Sequence, residues 1–351
     1  MSTSTPSPSY PAPEPPDNAA INQEQATVGT MIIPGVMLPA ATEAPAPSGR
    51  HERWRDLWRM ITVNPKVMVG VIIILIFFLV AIFGPLVDRT DPNAYSSALL
   101  QPPSAAHWLG TTNSGQDVLA WVVDGTRVSI LWGFGTGLAA TIISVIIGLL
   151  AGTVGGFVDE LLSLLTNIFL VMPGIVLAIV ITSYGSLKGP MAIAIALTVT
   201  GWAWGARVLR SQTLSLRQRD FVEAARASGE SLWRIVFFEI LPNEISIVIA
   251  GFVGTTLYVI LADAALEYLN IGSVTTISWG NMFYWAGNND ALLTGAWWWF
   301  VPPGLCVAFV GVGLALLNFG IDEIANPRLR KEAMPKAVKD AQKAQMKKGK
   351  A

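Results

Sequence analysis

VMVGVIIILIFFLVAIFGPLV, residues 67–87, runs for 21 residues without one charged side chain. A helix of that length rises about 30 Å, the thickness of a bilayer's hydrocarbon core. Five more runs share its character: Val128–Val154, Leu161–Tyr184, Gly189–Ala206, Ile245–Ala262 and Ala296–Ile321. Charged residues make up 13% of the chain, about half the fraction usual in a soluble domain. An all-α integral membrane protein with six transmembrane helices is therefore expected. The two 18-residue runs are close to the minimum that spans, and the 26- and 27-residue runs need tilt or overhang.

Net charge is −1, and its distribution says more than its total. Of the 23 Lys and Arg, five lie in Arg50–Lys66, six in Arg207–Arg234 and nine in Arg328–Lys350. Six spans put all three blocks, and both termini, on one side. By the positive-inside rule that side is the cytoplasm. The expected location is the cytoplasmic (inner) membrane of a prokaryote.

The first 49 residues hold ten of the 22 prolines and no Lys or Arg, which reads as a disordered tail with no cleaved signal peptide. In residues 50–66, Trp54, Leu57, Trp58 and Ile61 recur at helical spacing beside Arg53, Arg55 and Arg59, the pattern of a helix lying in the interface. The membrane domain is then residues 67–322, with an outer segment over 88–127, a cytoplasmic loop over 207–243, and a basic tail over 323–351. Cys306, the one cysteine, reads as a packing residue. Two histidines, His51 and His107, do not make a metal site.

The segment RDFVEAARASGESLWRIVFFEILPN (residues 219–243) breaks the apolar pattern. It reads as two short helices about a sharp corner. Asp220 and Glu223, three apart, have the spacing of a capping box. Ala224 and Ala225 favour helix with little bulk. Gly229 suits the left-handed position that ends a helix. Ser231 can cap the second helix, which is expected to run until Pro242.

EAA at 223–225, Gly229, and LPN at 241–243 resemble the signature loop of ABC-importer membrane subunits. Glu239 departs from the Ile usual in the wider superfamily, as the peptide-importer branch often does. HWLGT and GQDVLAWVVDGTRVSI (107–130), DELLSLLTNIFLVMPGIVLAI (159–179), ILADAALEYLNIG (260–272), SWGNM (278–282), WWWFVPPGL (297–305) and NPRLR (326–330) are similar to the second membrane subunit of dipeptide and oligopeptide permeases. Gln116, Asn167 and Met172 stand where that branch usually has Arg, Asp and Phe. The resemblance covers about residues 54–330.

That resemblance implies the type I ABC importer permease fold. It implies a half-channel working with a second homologous permease subunit, two ATP-binding subunits and an extracytoplasmic substrate-binding protein. The loop would be a coupling helix seated in an ATPase cleft, so Asp220, Glu223, Ala224, Ala225, Gly229, Leu241 and Pro242 are the candidate coupling residues. No G-x-x-x-x-G-K-[ST] occurs, so no nucleotide hydrolysis, catalytic residue, cofactor or metal is expected in this chain. ATP and Mg would belong to the partner ATPases. Membrane lipid is the remaining partner, and nucleic acid is not expected.

Asp263 and Glu267, one turn apart near the outer end of the fifth run, are candidate pathway or partner contacts, as are Trp279 and Asn281. The alternative for the two acids is interfacial water or a partner subunit. Asp159 and Glu160 read as a solvated turn. Oligopeptides are the expected substrate. Trp202, Trp204, Trp279 and Trp285 keep short oligosaccharides of the β-glucoside type open, with nickel chelates a more distant alternative. An ion-coupled secondary transporter, a different class, wants acids near the middle of a span, and the apolar runs contain none.

Overall fold

A computed structural model of the chain describes residues 64–87, 90–273 and 275–325. The expected N-terminal tail, the interfacial helix up to residue 63 and the tail beyond residue 325 lie outside these. The elements in order are α1 (Pro65–Val87), α2 (Val118–Val154), α3 (Gly156–Val171), α4 (Gly174–Tyr184), α5 (Pro190–Leu216), α6 (Asp220–Ala227), α7 (Leu232–Tyr268), α8 (Trp279–Asn288) and α9 (Trp297–Ala325). Five of these helices are long and apolar enough to cross a membrane. The pair α3 and α4, bent by 91° at the break between them, passes the same test together, and counted as one span it brings the number to six. The described residues contain no strand, only an isolated bridge between Thr111 and Asp117.

The bend has a local cause. Met172 precedes Pro173, whose ring drives the preceding residue out of the helical region, and Met172 sits at φ −72°, ψ 133°. The outer segment is shorter than its sequence implies. α2 begins ten residues before Val128, capped by Asp117, whose Oδ1 accepts from the amides of Leu119 (2.8 Å) and Ala120 (3.1 Å). Asp124 and Arg127 therefore ride on the outer turns of a 37-residue helix. The other Asp117 oxygen lies 2.8 Å from His107 Nδ1, which ties the outer segment to the helix start.

Without a hydrophobic driving force between helices in lipid, close packing depends on small residues. α2 shows this on two sides. A Cβ on Gly148 would stand 2.7 Å from Leu209 Cβ and 2.9 Å from the Ala206 carbonyl oxygen of α5. Ser144 Oγ donates to the Trp202 carbonyl of α5 at 2.7 Å. Gly133 meets Ile260 of α7 just as closely. α1 lies against α9, with Gly70 beside the Gly313 carbonyl. Ile72, Leu75, Leu79, Ile82 and Phe83 of α1 face outward, as lipid requires. The main core joins α1, α2, α7, α8 and α9 around Trp279, Trp299, Met282 and Leu314. Phe77 packs edge-on to Trp279 at 5.7 Å between ring centres.

Between α2, α5, α7 and α9 a cavity of about 590 Å³ remains, lined by residues including Ser144, Thr200, Trp204, Gly251, Tyr258 and Asn318. Its lining carries hydroxyls and glycines but no charged side chain.

Candidate coupling site

The corner between α5 and α7 is built from backbone geometry outward. The capping box expected at Asp220 and Glu223 does not form. Arg219 takes the extended cap position (φ −84°, ψ 148°), no side chain caps the helix, and Asp220 is its first residue. Asp220 and Glu223 instead place negative charge in the first turn, at the positive end of the helix dipole.

α6 ends as expected, at Gly229, with φ +77°. The Glu230 amide donates to the Ala225 carbonyl at 3.2 Å and the Gly229 amide to the Arg226 carbonyl at 3.0 Å. This pair of bonds closes a Schellman motif. Nothing lies within 4 Å of where a Gly229 Cβ would stand, so backbone conformation alone selects glycine. Ser231 then caps the next helix, its Oγ accepting from the Arg234 amide at 3.4 Å.

That helix does not stop at Pro242, contrary to expectation. Residues Ile235–Ile240 form one wide π turn that continues into the span. The Leu241 amide reaches the Val236 carbonyl, five residues back. The wide turn accommodates the proline ring and its missing donor. Asn243 Nδ2 donates to the Glu239 carbonyl at 2.6 Å, one turn back along the helix. The helix that leaves the corner and the fifth span are thus one continuous rod, α7, of 37 residues.

Val222, with Ala225 beside it, anchors α6. Val222 is fully buried against Leu149 of α2 and Ile235, Val236 and Ile240 of α7, with Ala225 and Leu241 at the edge of the cluster. Asp220, Glu223, Ala224, Arg226 and Ala227 are exposed. The helix turns outward a face on which the short Ala224 and Ala227 lie among the charges of Asp220, Glu223 and Arg226.

Beneath the corner lies a residue that sequence reasoning passed over. Glu244 is fully buried, and Thr213 Oγ1 of α5 donates to its Oε1 at 2.8 Å. Its Oε2 has no hydrogen-bond partner. Thr213 is buried too and packs on Gly152 of α2, whose carbonyl accepts from Arg217 Nη1 at 3.2 Å. Three helices therefore meet through polar contacts directly under the corner. The available signal was a carboxylate at the edge of an apolar run.

Asp159 is also not a solvated turn. Arg210 Nε and Nη2 fork onto its two oxygens at 2.5 and 2.7 Å, joining α3 to α5. Arg207 Nη2 donates to Asn167 Oδ1 at 2.5 Å alongside. The fork is partly exposed, so its contribution is modest. Arg210→Ala is expected to lower the melting temperature of the purified chain by about 2–4 °C, with Arg210→Lys intermediate because one ammonium does not reproduce a planar fork. A thermal shift in detergent checks this.

Three of the four outer candidates are bonded to other parts of this chain. Glu267 is buried and accepts from Ser278 Oγ, the N-cap of α8. Trp279 is 1% exposed, its amide donating to Ser129 Oγ (3.2 Å) and its indole to Thr126 Oγ1 (3.3 Å) of α2. Asn281 Nδ2 donates to the carbonyls of Ser273 and Thr276, each at 2.5 Å, fastening the loop before α8. These three residues bind parts of the chain to one another. Asp263 is half-buried on α7, one turn before Glu267. Of the four tryptophans considered for a sugar face, Trp202 and Trp279 are buried, whereas Trp204 is exposed in the cavity. Trp285 lines a second cavity on the opposite face of the bundle from α6. Among the described residues no group of three or more His, Cys, Asp or Glu converges as metal ligands would.

Residues 144–331 match the family described as the inner membrane component of binding-protein-dependent transport systems. The chain belongs to that family. Residues 52–103 additionally match the N-terminal transmembrane domain of oligopeptide transport permease C. The dipeptide transport system permease protein DppC of Alkalihalophilus pseudofirmus is 34% identical over 79% of this chain and 90% of its own length. The oligopeptide transport system permease protein OppC of Bacillus subtilis is 32% identical over 79% and 90%. A chain of the methionine ABC transporter MetNI in an inward facing conformation aligns at 20% identity, with a TM-score of 0.49, over 59% of this chain and 95% of that one. The family match takes in the whole α6 corner, Glu244 and the Arg210 fork. This is a multi-pass permease subunit.

Proposed function

We propose that this permease subunit forms half of the translocation path of an importer for oligopeptides and receives its energy through α6. One observation carries the reading: a small, largely exposed helix, held to the bundle through Val222 with Ala225 beside it, turns through a Schellman corner into a 37-residue rod that crosses the membrane. Such a part transmits displacement from a cytoplasmic partner into the path. Glu223 orients the docked helix, the short Ala224 on its exposed face permits close approach, Ala225 seats the helix on the bundle beside Val222, and Gly229 fixes the angle. Leu241 and Pro242 join the corner to the rod.

The energy source is a partner, because the chain lacks the phosphate-loop motif. The assembly we propose adds a second permease subunit, two ATP-binding subunits that hold ATP and Mg, and an extracytoplasmic binding protein. Sidedness follows from the 20 of 23 cations that fall in the three blocks on the α6 side. That orientation makes both termini cytoplasmic in a prokaryotic inner membrane. Peptides are favoured as substrate by the names of the similar permeases.

Cells with and without the gene, given labelled tri- and pentapeptides and labelled cello-oligosaccharides, test the substrate. Peptide uptake is expected to fall to background on deletion while sugar uptake holds. Loss of sugar uptake alone would keep the machinery and replace the substrate. No change in either would overturn the peptide assignment.

A further inference from the structure

On the face of the bundle opposite α6, the outer segment and α8 enclose a second cavity of about 260 Å³. Its wall combines three indoles (Trp121, Trp285 and Trp299) with the amides of Asn113, Gln116 and Asn289. No charged side chain lines it. Much of this wall is held by its own bonds. Asn113 Nδ2 donates to Asn289 Oδ1 at 2.5 Å, Asn289 Nδ2 to the Trp285 carbonyl at 2.8 Å, and Trp121 Nε1 to the Pro92 carbonyl at 2.6 Å. Trp299 differs: it is 1% exposed, and its Nε1–H has no hydrogen-bond partner. A buried donor left unpaired is costly, and an incoming oxygen acceptor would recover that cost.

We propose that this cavity is an outer-face subsite for one uncharged interior residue of a peptide, whose main-chain carbonyl accepts from Trp299 Nε1. The proposal rests on the peptide reading above. The chemistry selects the ligand class. An ionised terminus or charged side chain would surrender hydration to a wall that offers no counter-ion. A neutral peptide unit brings an acceptor oxygen for the indole N–H, a flat amide to lie on the indole faces, and an N–H for the side-chain amide oxygens. The volume suits one residue and not a whole oligopeptide, so this is a point of contact at the entrance.

Isothermal titration on the full-length subunit, co-purified with its partner subunits in lipid nanodiscs, tests this directly and does not depend on uptake. N-acetyl-trialanine amide, which has no charge, is the probe, against free trialanine and cellobiose. The blocked peptide is expected to bind more tightly than either. Trp299→Phe, which keeps a ring and removes the donor, should weaken it about three- to tenfold. Gln116→Leu, which removes an amide oxygen offered to the ligand N–H, should weaken it about three- to tenfold, and it keeps the test open if Trp299→Phe fails to assemble. Tighter binding of cellobiose, equal binding of free trialanine, no binding of the blocked peptide, or unchanged affinity in an assembled variant would each overturn the proposal. Failure of peptide uptake in the deletion experiment leaves these binding results readable on their own.

Discussion

Gly229→Val is expected to leave the subunit folded, inserted and assembled, and to lower the peptide moved per ATP hydrolysed at least tenfold. The substitution meets no steric obstacle, since the space around a Cβ there is empty. Its effect comes from φ +77°, a conformation that a β-branched residue resists. The cost of a left-handed residue is about 1–2 kcal/mol for ordinary side chains, too little to unfold a bundle packed across several helices. The corner can shed that strain by opening the two Schellman bonds, and the angle between α6 and α7 is then no longer fixed. Force applied to α6 would be absorbed at the corner. Gly229→Asn supplies the control, because asparagine tolerates the left-handed region, and it should retain most of the coupling. Reconstituted transporter, assayed for labelled peptide entry and phosphate release together, gives the ratio. A valine variant with the wild-type ratio would remove the corner from the mechanism.

The second large effect is expected at the contact between Thr213 and Glu244. Thr213→Val is close in shape and strips the buried carboxyl of its one hydrogen bond. Leaving such a group wholly unsatisfied costs about 1–3 kcal/mol or more. Because Thr213 belongs to α5 and Glu244 to α7, the loss falls on the joint between the two helices beneath the corner. We expect Thr213→Val to reduce the amount of assembled transporter about threefold or more. Glu244→Leu, which removes the polar group as well as its partner, should recover much of that amount in the double variant. Gel filtration of the detergent-extracted complex reads the yield. A double variant no better than Thr213→Val would show that the pair does more than satisfy a buried carboxyl.

Much of the architecture is legible in the sequence, for a physical reason. Lipid satisfies no backbone polar group, so spans must be long, apolar and helical, and all six runs fall on helices of the structure. Boundaries are less legible. Asp124 and Arg127 make the second run appear to start at Val128, yet a helix keeps its hydrogen bonds as it leaves the membrane, and the cap at Asp117 sets the true start. At α6 the spacing of Asp220 and Glu223 suits a capping box, but which residue caps is decided by backbone angles that spacing does not encode, and Arg219 takes the place. Pro242 reads as a stop because the rule assumes α geometry, and a single π turn removes the conflict.

The site divides in the same way. Gly229 and Ser231 act through local backbone, and their roles could be read. Glu267, Trp279 and Asn281 draw their character from Ser278, from Ser129 and Thr126 of α2, and from the loop at 273–276. Those partners are brought close only by folding. Glu244 escaped because it stands immediately before an apolar run and looks like the charge that ends one.

The close approach of α2 and α5 at Gly148 bears on how such a subunit can change shape. Backbones that nearly touch, bridged by Ser144 and steadied by the Arg210 fork to α3, leave those helices no room to slide. They form a keel. The uncharged cavity lies along one side of it, where α7 passes with small residues such as Gly251 and Gly254, around which nothing crowds within 4 Å. The rod that borders this seam is the one rooted at α6. A push at the foot of the rod meets open space along the seam in which to become motion.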